Sequence, residues 1–385
     1  MGVIIRQSIK QSIVAYLAIA VAVVAQLFIY PIDDFATYGL AQAIIALAML
    51  LYPLIVLGVP QAMIKFFNEF YKKSEGYLLN FLILSIALMV FFGTLIYFFY
   101  GSFLRMLDHL EISQALFIDY GTTVVVLVVL LILLRIFITQ AANFHRIVWP
   151  AIFENLWTKF ALAMAVLLVV SGSLNQDSLA YTIPIYFGVA LFGMFIYLTF
   201  LGVQNWQYNP TLFKKDVLKS ILRYAAYTGL SSFGVMLAIR IDQIMVPNMV
   251  DYQSNGIYSF FIFMTAVIEI PARSIVQISS PILSKAHENL DYKEIQKIYS
   301  KSASILLIFG LGLFLLIFLN LDDIFAIMGK SSLLGGLVAL FAILGVAKIF
   351  TLIFYVAPQI IMYSKYYRFI LYVTITLGVL NTVLN

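Results

Sequence analysis

The stretch LAIRIDQIMVP, residues 237–247, sets Arg240 and Asp242 two residues apart in an otherwise apolar run. Residues two apart on a helix point about 200° away from each other, so these two cannot satisfy one another and each needs its own partner. Arg135, Glu154, Lys159, Glu269, Arg273 and Lys348 stand in similarly apolar surroundings. An ionised side chain at the middle of a bilayer costs at least about 2.5–3.5 kcal/mol, so it normally faces a partner or a hydrated cavity. The set holds more cations (Arg135, Lys159, Arg240, Arg273, Lys348) than anions (Glu154, Asp242, Glu269). A net-cationic cavity suits an anionic substrate, because guanidinium and ammonium groups make charge-assisted hydrogen bonds to phosphate oxygens.

Glu269, Arg273, Gln277, Ser280 and Ser284 follow spacings of three and four, which draws one polar stripe down a helix that Pro271 interrupts. Glu269 and Arg273 can pair at i,i+4 as a structural clamp, or the stripe can be a wall of a substrate cavity. Its continuation past the pair favours the wall. Arg135 shares a helical face with Thr139, Ala142 and Arg146, and is expected to line the inward-facing part of the cavity. Asn155 and Lys159 share another face with Glu154 beside it, and each could equally clamp two helices. Arg240 is expected to face the cavity, with Asp242 holding a neighbouring helix or a coupling cation. Arg135, Lys159, Arg240, Arg273, Gln277 and Lys348 therefore form the expected substrate-binding set. Asp242, Glu269 and Glu154 are its charge partners or the groups that couple to H⁺ or Na⁺.

Positioning these residues is the work of many membrane helices. The chain is 63% hydrophobic and 11% charged, with a mean hydropathy of +1.01. A soluble domain is about 45–50% apolar and about 25% charged. Apolar runs long enough to cross a bilayer recur from end to end. They predict an all-α polytopic membrane protein of about 11 spans, near 12–32, 37–64, 77–100, 117–139, 149–171, 179–203, 219–247, 254–280, 302–321, 332–363 and 367–385. The start, MGVIIRQSIKQSIVAYLAIAV, has no small-residue cleavage site and reads as a retained first helix. Alternate connections hold Arg6, Lys10, Lys65, Lys72, Lys73, Arg146, Lys214, Lys215, Lys219, Lys285, Lys293, Lys297, Lys301, Lys365 and Arg368, whereas the opposite set holds only Arg105 and Lys330. That asymmetry places the N-terminus in the cytoplasm. Arg223, near a span end, is expected to snorkel to the interface.

An internal repeat is visible. QLFIYPIDDFATYGLAQ (26–42) aligns without gaps with QIMVPNMVDYQSNGIYS (243–259), matching Gln26 with Gln243, Asp34 with Asp251 and Gly39 with Gly256. Six spans per repeat predicts two parallel six-helix bundles, 1–217 and 218–385, with a site between them. The second bundle has room for only five helices before Asn385, so a truncated chain is expected.

Enzyme chemistry finds little support. There is no Gly-rich phosphate loop, nucleophile elbow or HExxH motif, and no nucleotide-binding domain. Cysteine is absent and His109, His145 and His287 have no metal-site spacing, so no cofactor is expected. The net charge of +5 reports topology and does not point to nucleic acid. Secondary transport is left.

Several stretches carry a resemblance. YGL-x-Q at 38–42, LGVPQAMIKFF at 57–67, RIDQIMV followed by NGIYSFF, and SSPILSKAHENLD together resemble Wzx-type O-antigen and capsule polysaccharide flippases of the multidrug/oligosaccharidyl-lipid/polysaccharide exporter superfamily. The resemblance spans essentially the whole chain through loose motifs. It implies an undecaprenyl-diphosphate-linked oligosaccharide moved from the cytoplasmic to the periplasmic leaflet of the bacterial inner membrane. It also implies alternating access in a two-lobed fold, membrane lipids around it, and the polysaccharide polymerase machinery as a possible partner. Family members have 12 or 14 spans, more than this chain holds. A multidrug and toxin exporter of the same superfamily would place an acid at the centre of the cavity, where span 1 offers only Gln26. A peptidoglycan-precursor flippase is chemically closer. A glycan polymerase or ligase would need a large outer loop, and the outer connections here are short.

Overall fold

In the computed structural model of the chain, the described residues are 2–67, 77–99, 101–102, 114–203, 206–364, 366 and 369–384. They form helices and turns, with no strand among them. Nine helices among the described residues are long and apolar enough to cross a bilayer. The chain is an all-α, multi-pass membrane protein, as its hydropathy predicts.

Several expected spans are broken into shorter helices. The expected span 254–280 is broken into helices Tyr252–Ile268 and Ile270–Glu288. Pro271 sits in the first turn of the second helix, where its missing N–H costs nothing. In the last expected span, 367–385, helix Phe369–Leu384 is described. Lys72, Lys73, Arg105, His109, Lys365 and Arg368 lie outside the described residues.

The chain divides into two compact units, Met1–Gly256 with Ile375–Asn385, and Ile257–Thr374. The first is organised around helix Ala36–Val56, which is buried along most of its length. Alanines let its neighbours approach closely, which is how membrane helices gain packing where lipid tails remove any hydrophobic drive. It packs chiefly on helix Lys215–Met249 and helix Gln114–Asn143.

Both ends of this central helix are held by backbone packing. Asp34 and Phe35 precede it in left-handed conformations (φ 56° and 71°), and Leu57 and Gly58 follow it in the same way (φ 45° and 71°). A left-handed Phe is strained by about 1–3 kcal/mol and persists only where surroundings hold it. Here the Phe35 carbonyl and Cβ lie where a Cβ on Gly256 would fall, and the Leu57–Gly58 backbone lies where one on Gly229 would fall. A Cβ on Gly39 would in turn collide with the Tyr252 carbonyl. Asn255 donates from Nδ2 to the Gly39 carbonyl at 2.7 Å. The two glycines matched by the internal repeat are thus packed against each other. In each copy an aspartate also satisfies a free N–H at the start of the following helix. Asp33 accepts from Thr37 N at 2.9 Å and Asp251 from Ser254 N at 2.7 Å.

The second unit stacks helices Ile270–Glu288, Tyr292–Leu319 and Val338–Ile353. Ile268, Ala272, Leu306 and Leu352 form its core, with Tyr355 packed against them. Phe314 and Phe341 stack at 5.7 Å, 4° from parallel, and Gly345 makes room for the Phe314 ring. Asp291 caps helix Tyr292–Leu319 by accepting from Glu294 N at 3.0 Å.

Candidate functional site

Within the second unit, Arg273, Val276, Thr351, Phe354, Tyr355, Pro358 and Gln359 line a cavity of about 510 Å³. That is the size range of small-molecule sites. Two helix breaks build it. The chain breaks at Glu269, one turn before Arg273, and again between helices Val338–Ile353 and Ala357–Tyr363. Broken helices at membrane depth are tolerated where they line protein or water, and they are a common way to frame a transport site.

Glu269 does not pair with Arg273, so the clamp that i,i+4 spacing allowed is not made. Its carboxylate Oε1 accepts from Lys348 Nζ at 2.8 Å, with side-chain exposures of 13% and 32%. The cause is the break: Glu269 is the residue before helix Ile270–Glu288, so it does not share a continuous face with Arg273. Arg273 is exposed and has no carboxylate partner among the described residues. Its partner is the Tyr355 hydroxyl, which interacts with Glu269 as well. The cavity wall therefore carries one cation without a carboxylate, Arg273, while Lys348, neutralised by Glu269, is not among the lining residues. The side chains of Gln277, Ser280 and Ser284 lie outside the described residues.

In the first unit, Arg240 and Asp242 take separate partners, as their angular separation requires. Arg240 Nη1 donates to Gln243 Oε1 at 2.6 Å. Asp242 Oδ1 accepts from Asn381 Nδ2 at 3.4 Å, and the same amide donates to the Ala238 carbonyl at 3.0 Å. Asp242 thus ties the last described helix to helix Lys215–Met249. Around Arg240 lies a buried polar cluster on three helices. Gln26 sits in a π-helical turn, Ala25–Ile29, and donates to the Tyr38 hydroxyl at 2.8 Å. Tyr38 also interacts with Arg240 and Gln42, and stacks on Tyr30 with centroids 4.0 Å apart. Gln26 Oε1 and Arg240 Nε are buried and have no partner among the described residues.

Arg135 and Glu154, which the sequence leaves on separate helices, are brought together. Arg135 Nη1 lies 2.5 Å from Glu154 Oε1, with side-chain exposures of 46% and 42%. Glu154 projects from a second π-helical turn, Ile152–Trp157, and Thr139 Oγ1 donates to the Arg135 carbonyl at 2.7 Å. Insertions of this kind are frequent at functional sites and re-aim the side chains they carry. Lys159 is half-buried one turn further on, in helix Thr158–Val170.

Solved structures share this fold. An inward-facing multidrug resistance MATE family transporter of the MOP superfamily superposes with a TM-score of 0.65 at 12% identity, over 96% of this chain and 92% of that one. The fold of the chain is similar to that of the MATE transporters. A MATE protein in the bent conformation gives a TM-score of 0.52 at 14% identity, over 99% of this chain and 93% of that one. An outward-facing multidrug resistance MATE transporter gives 0.50 at 15% identity, over 99% and 93%. Neither a family model nor a curated protein matches the chain.

Thr351, Tyr355 and Gln359 line the cavity and are candidate residues that sequence reasoning missed. With Lys348 they follow spacings of three, four and four. This is the periodicity that singled out the stripe beginning at Glu269, so the signal was present.

Proposed function

We propose that the chain is an alternating-access transporter that carries an anionic, lipid-linked oligosaccharide across the bacterial inner membrane. The MATE-like fold supports transport, since MATE structures are described in both inward- and outward-facing conformations. The observation that carries the anionic reading is Arg273: an exposed guanidinium on the cavity wall whose partner is a phenol, while the acid beside that phenol is held by Lys348. A guanidinium without a carboxylate can take two oxygens of a phosphate at once. On this reading Arg273 engages the diphosphate while the lipid tail stays in the bilayer. Glu269, Glu154 and Asp242 are the carboxylates through which H⁺ or Na⁺ would couple.

Export of lipophilic cations, the multidrug reading, fits the fold as well, because the solved neighbours are described as multidrug resistance transporters. Competitive binding to the protein in lipid nanodiscs separates the two. Undecaprenyl diphosphate is expected to bind in preference to a lipophilic cation, and Arg273→Ala to remove the preference. A preference for the cation would assign the chain to drug export and leave the cations as helix clamps.

A further inference from the structure

Helix Lys215–Met249 has 35 residues, about 52 Å at 1.5 Å per residue. A hydrocarbon core is about 30 Å thick, so part of the helix lies beyond it. The polar residues say which part. Lys215, Lys219 and Arg223 recur every four residues at its start, next to Lys214, and all four are exposed. None of them has an ion pair among the described residues. Residues four apart share a face, and Tyr227, 58% exposed, continues that face one turn further.

Placing cations here is unfavourable for the helix alone. The N-terminal turns carry the positive end of the helix dipole, and only Asp216 in the first turn opposes it. Cations beside free helix N–H groups make a site that an external anion would stabilise. Exposed aromatics flank it: Trp206 at 44% and Tyr208 at 58%, in the connection leading to the helix. Aromatic rings beside cations at the end of an apolar helix are the residues that sit at headgroup depth.

We propose that Lys215, Lys219 and Arg223, with Tyr227 beneath them, form a docking face for the headgroups of anionic phospholipids. A cluster of this size immediately beyond a membrane helix attracts anionic lipid, and a single helical face would order several headgroups along it. The face belongs to the first unit, shares no residue with the Arg273 cavity, and does not depend on what the protein transports.

The test uses the full chain with Tyr227→Trp as a reporter on the same face, read as the difference from the unsubstituted protein. Brominated phosphatidylglycerol is expected to quench the reporter more than brominated phosphatidylcholine at equal mole fraction. That excess should disappear in Lys215→Gln/Lys219→Gln/Arg223→Gln and persist in Lys215→Arg/Lys219→Arg, which keeps the charge and guards against misfolding. Raising salt should shrink it, as screening of exposed charges requires. Equal quenching by the two lipids, or an excess that survives the triple substitution, would overturn the proposal. So would loss of the excess on adding inorganic phosphate at constant ionic strength, which would make the face a site for free oxyanion.

Discussion

Arg240 in the first unit and Arg273 in the second have the same chemistry and lack a carboxylate partner among the described residues, but their settings differ. Arg240 is held beside Gln243 and Tyr38, and its buried Nε has no partner among the described residues. Arg273 stands on the wall of a 510 Å³ cavity with its charge accessible. Burial of an unpaired charge is costly, and access to a cavity lets a ligand supply the missing counter-charge. The same contrast divides the glycines. In the first unit Gly39, Gly229 and Gly256 admit backbone and Gly193 a phenylalanine ring, whereas in the second Gly310 and Gly345 admit only side chains. Backbone fixes the packing at the ends of helix Ala36–Val56, and side chains that can move fill the space at Gly310 and Gly345.

The largest expected effect tests that difference in packing. Gly256→Ala would drive a Cβ into the Phe35 carbonyl and Cβ, where a strained turn leaves no room to retreat. Overpacking of this kind costs about 1–3 kcal/mol or more. Gly345→Ala meets only the Phe314 ring, which can move, and Gly312→Ala meets nothing within 4 Å. The yield of monodisperse protein and its thermal midpoint should fall steeply for the first, modestly for the second and not at all for the third. Equal losses at Gly256 and Gly345 would remove the contrast.

Next comes loss of the accessible cation. Arg273→Ala should weaken diphosphate binding about tenfold to a hundredfold, the worth of one charge-assisted contact of about 1.5–3 kcal/mol. The protein's abundance should stay near normal. Arg240→Ala should instead lower the thermal midpoint, because it leaves Gln243 and Tyr38 without the partner they share. If Arg240→Ala cost binding and left stability alone, the enclosed arginine would be the primary contact.

What could be read from the sequence divides along the same line as what could not. Local signals were legible: apolar runs located the helices, and the angle between Arg240 and Asp242 required separate partners. Partner identity was not, because it depends on contacts distant in the chain. Asp242 finds Asn381, and Glu269 finds Lys348. The Glu269–Arg273 clamp, one of two readings open in the sequence, is not made for a local reason: a new helix starts at Ile270, with Pro271 in its first turn, and the i,i+4 rule needs a continuous helix. The repeat matched Gly39 with Gly256 by type. Nothing in the alignment says that matched residues should touch, as these do.

The smallest effects separate the two ion pairs. Lys348–Glu269 is the better shielded, its carboxylate 13% exposed, while Arg135–Glu154 has about half of each side chain accessible. Removing one partner of a buried pair costs about 3–5 kcal/mol, and exposed pairs contribute about 0–1 kcal/mol. Glu269→Gln, partly shielded, should fall between these limits. A double-mutant cycle on Arg135→Gln and Glu154→Gln, read by thermal midpoint, should give a coupling under about 1 kcal/mol. Its 2.5 Å separation would then reflect proximity imposed by the π-helical turn at Ile152–Trp157 and not a strong clamp. A coupling as large as that of Lys348 and Glu269 would mean that lipid, not water, surrounds the pair. In that case both units would carry a shielded clamp, and accessibility would distinguish Arg273 alone.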